Sequence, residues 1–260
     1  MPRPTPVTLT LDRGLQILRA FHADREPLTN GELASRTGLS RSSVSRFTST
    51  LIHEGYIRRV AGGSRFELAM GVFAIGQSYL GSSPVRQRAQ PLMQRLADRL
   101  GVSVALAVPD QLDMLYIAYQ CSTRISTLQL GVGSLLPMGT TAIGRAWLGA
   151  VPESVRKPCV ARLLEAAGSR AEALRASIEA AREDLRSTGV CMSAGEYQRN
   201  AFGIALPIRL QCARTWMALS CGAIDVNLDI DAARARIGPE LKRAAAELEA
   251  LLGDVEFKAP

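Results

Sequence analysis

The sequence predicts an α+β protein in two parts, and three observations carry that prediction. Over residues 11–54, apolar positions recur at helical spacing in three short segments joined by turns, the pattern of a helix-turn-helix. Two short extended runs with a glycine turn between them follow at once and supply a wing. Beyond residue 84, strand-like runs such as VSVALAV and FGIALPIRL alternate with amphipathic stretches, as expected of an antiparallel sheet covered by helices. A chain of 260 residues, 47% hydrophobic, is long enough to bury two cores. The expected boundaries are a winged helix-turn-helix over 1–68, a linker helix over 69–83 and a larger α+β domain over 84–260.

In chain order, LDRGLQILRAF (11–21) places Leu11, Leu15, Leu18 and Phe21 on one helical face, with Asp12 positioned to start the helix. Thr29 and Glu32 have the spacing of a capping box, which opens a second helix ending near Thr37 and Gly38. Ser40 caps a third helix running to about Glu54, before Gly55. YIRRV and SRFEL form a hairpin around Ala61-Gly62-Gly63. AMGVFAIGQSYL (69–80) is an apolar helix, broken by Gly81-Ser82-Ser83-Pro84. A helix over 85–100 precedes the strand-like runs VSVALAV, MLYIAYQ and ISTLQL. Helices over 140–150 and 170–187, the strands FGIALPIRL and TWMALSCGA, and a last helix over 229–252 complete the pattern. There is no internal repeat and no low-complexity tract.

The third helix has the features needed to read DNA. A helix-turn-helix requires a small residue where its helices cross, a glycine able to adopt a left-handed turn and an apolar anchor; Ala34, Gly38 and Val44 supply them in order. At 100° per residue, Val44, Phe47, Thr48 and Leu51 share one arc, while Ser42, Ser45, Arg46, Ser49 and His53 share the opposite one. Arg46 suits guanine, and Ser42, Ser43, Ser45 and Ser49 suit bases or phosphates. Arg41, near the helix start, is placed for a phosphate. Arg58, Arg59 and Arg65 flank the wing tip, within reach of DNA backbone or minor groove. Charge agrees: of a net +7, residues 1–68 carry ten Arg against six Asp and Glu, hence +4.

Other classes are disfavoured. Five cysteines show no CxxC spacing, which reads as reduced, mostly buried thiols. Only His22 and His53 are histidines, so a zinc site is not expected, and the second domain holds no Ser-His or Cys-His pair. GTTAIGRA (139–146) nearly matches a phosphate-cradling loop but places Arg145 and Ala146 where Lys and Ser or Thr are required. Gly131-Val132-Gly133 lacks the third glycine of a dinucleotide loop. Glu196, one carboxylate on a Gly-rich turn, gives no acid-base pair. Neither catalysis, cofactor nor metal is expected. No apolar stretch reaches the ~18 residues of a membrane span, and the Pro-rich start lacks a signal-peptide core; a soluble, cytoplasmic protein is expected.

These blocks resemble one known family. RGLQILRAF, LTNGELASRTGLSRSSVSRFTSTLIHEGYIRR, FELAMGVFAIG, LPMGTTAIGRAWLGA, GEYQRNAFGIALPIR and MALSCGA occur in the order and spacing of the isocitrate lyase regulator (IclR) type of bacterial transcription factor. The resemblance implies that the larger domain is GAF-like and binds a small-molecule effector, and that the protein works as a homodimer or dimer of dimers. By position it assigns the effector pocket to Ile125, Thr140, Thr141, Ala142, Ile143, Ser193, Glu196, Ala201, Gly203, Ser220 and Gly222. Ser193 and Gly203 stand where members that bind small oxo acids place Asp and Cys. Ile143 and Gly222 stand where those members have a smaller residue and a serine. A pocket with fewer polar groups should take a larger, more apolar ligand, an aromatic or hydrophobic carboxylate.

The expected function is therefore a ligand-responsive regulator, acting as a repressor on a pseudo-palindromic operator. The alternatives are a DNA-binding protein without an effector, and an enzyme with an accessory DNA-binding domain.

Overall fold

The computed structural model describes residues 7–21, 26–123, 130–210, 215–225 and 228–255. The chain divides into two compact units, Met1–Ser82 and Ser83–Pro260.

In the first unit, α1 (Leu9–Arg19) begins before the expected start. Thr8 is its N-cap, and Asp12 sits in the first turn, accepting from Gln16 Nε2 at 2.8 Å. Its buried stripe is Ile17 and Phe21, whereas Leu11 and Leu15 are 63% and 49% exposed. The segment carries two apolar stripes, and the one that meets Leu33 and Val44 in the core is buried. A two-residue strand, β1 (Leu28–Thr29), leads into α2 (Asn30–Thr37), whose capping box is fully formed: Glu32 N donates to Thr29 Oγ1 at 3.2 Å and Thr29 N to Glu32 Oε2 at 2.7 Å. Gly38 ends the helix at φ +70°, the left-handed conformation that favours glycine. Then come α3 (Arg41–His53), β2 (Ile57–Arg59) and β3 (Arg65–Leu68). The wing has three strands in the order β1-β3-β2, all antiparallel. β1 escapes a periodicity reading because two residues have no period.

α4 (Met70–Ser82) covers the expected linker helix and runs on through Gly81 and Ser82. The break falls at Ser83, whose hydroxyl caps the next helix. None of α4's side chains is buried. Its start is held to the end of α3 by Gly71 N donating to Gly55 O at 3.1 Å.

The second unit opens with α5 (Pro84–Leu100), followed by β4 (Ser103–Asp110), β5 (Asp113–Cys121), β6 (Leu135–Pro137), α6 (Ala142–Ala150) and α7 (Glu153–Ala167). A 3₁₀ turn leads to α8 (Ala171–Thr188), β7 (Cys191–Ala194), β8 (Ala201–Leu210), β9 (Thr215–Ile224) and α9 (Ile230–Leu251). Six antiparallel strands make one sheet in the order β6-β5-β4-β9-β8-β7. Strand alternation divides its side chains between two cores. Leu106, Ile204 and Leu219 pack with Leu96, Ile237 and Leu241 of α5 and α9, while Ala105, Ala107 and Ala218 pack with Ile143, Trp147 and Ile178 of α6 and α8. The small residues on the second face leave room beneath α6.

ISTLQL lies largely outside the described residues, and Leu130 is not in a strand. β6 and β7 were not expected, being three and four residues long, and α7 was missed because Pro158 and scattered charges blur its period. No helix among the described residues is long and apolar enough to cross a membrane.

Candidate DNA-reading helix and effector cavity

Ser40 launches α3: its Oγ accepts from Ser43 N at 3.2 Å and donates to Ser43 Oγ at 3.0 Å. Ser43 is therefore committed to the cap and only half-exposed. Val44, Thr48 and Leu51 are buried as expected, and Phe47 packs against the same core. Thr48 Oγ1 donates to Asn30 Oδ1 at 3.3 Å, tying α3 to α2. On the opposite arc Arg41, Ser42, Ser45, Arg46 and Ser49 are exposed. Ser49 Oγ donates back to Ser45 O at 2.9 Å. The Arg41 and Arg46 guanidiniums make no ion pair or hydrogen bond among the described residues, so their donors remain available.

The wing arginines are engaged. Arg58 pairs with Glu67 at 2.7 Å, Arg59 lies over the Phe66 ring at 5.1 Å, and Arg65 donates to Pro27 O at 2.9 Å with Glu32 at 3.9 Å. They brace the hairpin, and their charge is partly neutralised there. Glu32 has its carboxyl held below the usual range, chiefly by the backbone and side chain of Thr29 and further by Arg65 and Arg36.

In the second unit a cavity, partly open to solvent, lies between the sheet and the start of α6. Nine of the expected effector residues line it: Thr141, Ala142 and Ile143 from α6 and its cap; Ser193, Glu196, Ala201 and Gly203 from β7, β8 and their turn; Ser220 and Gly222 from β9. Thr140 is half-buried and off the lining, because the chain turns there and Thr141 Oγ1 is drawn to Pro137 O at 2.7 Å. Ile125 lies outside the described residues.

The sheet adds polar groups that the motifs do not contain. Ser103 and Tyr116 also line the cavity. The β4–β5 register shifts between Leu106 and Ala107, which puts Tyr116 and Tyr119 on the same face with ring centroids 6.1 Å apart. Tyr116 is buried and hydrogen-bonded to Ser220, and burial raises its phenol above the ordinary value, so it stays protonated. Ser103 and Tyr116 thus add polar groups to the positions that the resemblance assigns. The sign to look for was an inward tyrosine on β5, which only the sheet order brings beside β9.

Two further contacts shape the site. Ser193 Oγ accepts from Ala142 N at 2.9 Å, capping α6 from another strand and leaving its own proton to donate. Arg145, 3% exposed, donates Nε to Gly139 O at 2.8 Å and grips Glu196 with both terminal nitrogens, Nη1 to Oε1 at 2.7 Å. Glu196 is therefore not an unpaired turn carboxylate. Gly144 has a steric reason to be glycine: a Cβ there would fall 2.1 Å from Met138 O. The thiols of Cys191 and Cys221 are buried and pushed up to about 12, mainly by desolvation. Cys121 and Cys159 are half-buried, and Cys212 lies outside the described residues. Among the described residues no cluster of His, Cys, Asp and Glu could hold a metal ion.

Comparison with known proteins agrees with this geometry. Residues 10–61 match the IclR helix-turn-helix domain, and residues 77–250 match the bacterial transcriptional regulator IclR C-terminal domain. The Pca regulon regulatory protein of Pseudomonas putida is 32% identical over 201 residues, 76% of this chain and 68% of that protein. The crystal structure of an IclR family transcriptional regulator from Brucella abortus superposes with a TM-score of 0.88 at 31% identity, covering 94% of this chain and 92% of that one. An IclR homologue from Microbacterium hydrocarbonoxydans, solved in complex with 4-hydroxybenzoate, shares the fold with a TM-score of 0.64 at 23% identity, covering 94% and 98%. The helix-turn-helix and the cavity under α6 both fall within these matches, and the chain belongs to the IclR family of bacterial transcriptional regulators.

Proposed function

We propose that this regulator is a repressor released from its operator by an aromatic carboxylate. The observation that carries the reading is the presence in one chain of an exposed α3 arc with two guanidiniums free among the described residues and of a partly open, mostly apolar-walled cavity in a separate unit. Arg46 reads a base, Ser42, Ser45 and Ser49 contact base edges or phosphates, and Arg41, Arg58 and Arg65 hold the backbone, while Ser43 serves the helix cap. Repression is the simpler sense of regulation, since it needs operator occupancy and no surface for polymerase.

The ligand class follows from the cavity walls. Tyr116, Phe202, Leu136 and Ile143 offer aromatic and apolar surface, Gly203 leaves space, and Ser193 and Ser220 offer hydroxyls. The name of the Pseudomonas relative and the 4-hydroxybenzoate bound to the Microbacterium homologue concern those proteins, and they support the same class here. Ligand binding acts by favouring one arrangement of the DNA-binding units over another, with α4 as the linker.

A homodimer, or a dimer of dimers, on a pseudo-palindromic operator completes the scheme. Its support is exposed apolar surface on α1 and α4, including Leu9 at 64%, Leu11 at 63%, Met70 at 74% and Phe73 at 58%. Sedimentation of the full chain checks it, with a monomer at micromolar concentration counting against it.

The decisive experiment selects an operator from random DNA and measures affinity by fluorescence anisotropy with and without benzoate or 4-hydroxybenzoate. One preferred sequence, released by the acid, is the expected result. Equal affinity for bulk DNA would instead mark an effector-independent binder. Arg46→Ala should cost about 1–3 kcal/mol on the selected sequence and relax preference at one base pair. A uniform loss on all DNA would make Arg46 a phosphate contact.

A further inference from the structure

The ion pair of Arg145 and Glu196 has no part in the scheme above, yet Glu196 lines the cavity and Arg145 lies buried behind it. Its two members are unequal. Arg145 is 3% exposed, and among the described residues its five side-chain N–H groups have only Gly139 O and the Glu196 carboxylate as partners. Glu196 sits on the exposed turn between β7 and β8, its side chain 36% exposed, and among the described residues it is the only charged one lining the cavity. The turn otherwise closes on its own backbone, with Gly195 N to Ala201 O and Ala201 N to Gln198 O both at 2.9 Å. One bond to the end of β9, from Asp225 N to Asn200 O at 2.8 Å, is added. The Glu196 side chain is what ties it to α6.

We propose that Arg145 is the carboxylate-binding group of the cavity and that Glu196 is its built-in competitor: the effector's carboxylate replaces that of Glu196 on the Arg145 fork and frees the turn at 195–200. This rests on the cavity being the effector site. A buried guanidinium cannot be left without a partner, whereas a carboxylate on an exposed turn can return to water. The exchange swaps one bidentate, charge-assisted pair for another, so it is nearly balanced and a modest ligand affinity can drive it. Without exchange, an anion entering the cavity would lie beside the Glu196 carboxylate, where the other described lining residues offer only neutral hydroxyls and amides. A neutral analogue gains nothing from Arg145 and leaves the latch shut. The pair thus selects for anions and turns their binding into release of a surface segment.

Acetate tests the fork independently of any aromatic ligand. In the full-length Glu196→Ala protein the fork is empty, and sodium acetate should raise the melting temperature towards wild type, where sodium chloride at equal ionic strength does not. Adding Arg145→Met should abolish that rescue. Acetate acting no better than chloride overturns the assignment of Arg145. Benzoate, with benzamide as the neutral control, tests displacement. Benzoate should speed hydrogen exchange in peptides covering 195–201 of wild type, and Glu196→Gln should bind it about tenfold tighter because the competitor is weakened. Benzoate binding that slows exchange there, or equal affinity for both proteins, overturns displacement. Rescue by acetate with no benzoate binding at all upholds Arg145 and removes the aromatic-ligand reading instead.

Discussion

Gly203 shows how much of the cavity depends on one missing side chain. A Cβ built there would meet Ala142 Cβ at 3.5 Å and Ser193 Oγ at 4.0 Å, so alanine fits without strain and anything larger enters the cavity. Gly203→Leu should leave the second unit folded, at a cost of about 1–3 kcal/mol for overpacking, and eliminate binding of an aromatic acid in calorimetry. Unaltered binding by that variant would place the ligand elsewhere. The departures at Ser193 and Gly203 thus have different meanings. Ser193 is built into the start of α6, whereas Gly203 sets the space.

At the scale of elements, the first unit depends on how its helices begin and end. Ser40→Ala removes the acceptor for Ser43 N and should cost about 1 kcal/mol, read from thermal melting of the full chain. The capping box of α2 brings a pH dependence. The Glu32 carboxyl is lowered from 4.5 in the folded state, so its contribution is present above about pH 4.5 and is lost as pH falls through the lowered value. Hydrogen exchange at residues 28–38 should accelerate on acidification, and Glu32→Gln should blunt the change. The α3–α4 junction is steric: a Cβ at Gly71 would lie 2.6 Å from Gly55 O and 3.1 Å from the Tyr56 ring. Gly71→Val should shift the start of α4 and destabilise the first unit by about 1–3 kcal/mol.

For the whole molecule, the two units should respond differently to base. All five cysteines lie in the second unit, and the two fully buried thiols, Cys191 and Cys221, are raised from 9.0 to about 12. A group raised on folding gives its full contribution below the unfolded value. The second unit should therefore lose stability progressively from about pH 9 towards 12, while the first unit, which has no cysteine, lacks this dependence. Scanning calorimetry across that range checks it, with Cys191→Ala and Cys221→Ala flattening the slope. Native-state alkylation at neutral pH should leave both thiols unmodified.

By itself the sequence determined the class of fold, the winged helix-turn-helix with Ser40, Gly38 and Val44 in their roles, and half of the residues lining the cavity. Caps, left-handed glycines and helical periods act over a few neighbours, and α6 and β7–β9 carry their site residues in short, recognisable runs. The tertiary structure decided three things. It chose which of two stripes on α1 is buried, because both are apolar and only the core distinguishes them. It brought Tyr116 beside Ser220, because their strands lie a hundred residues apart in the chain and meet only through the order β5-β4-β9. And it set Arg145 against Glu196, turning a failed phosphate loop and a lone carboxylate into one ion pair, since opposite charges 51 residues apart become partners only when folding brings them together and buries one of them.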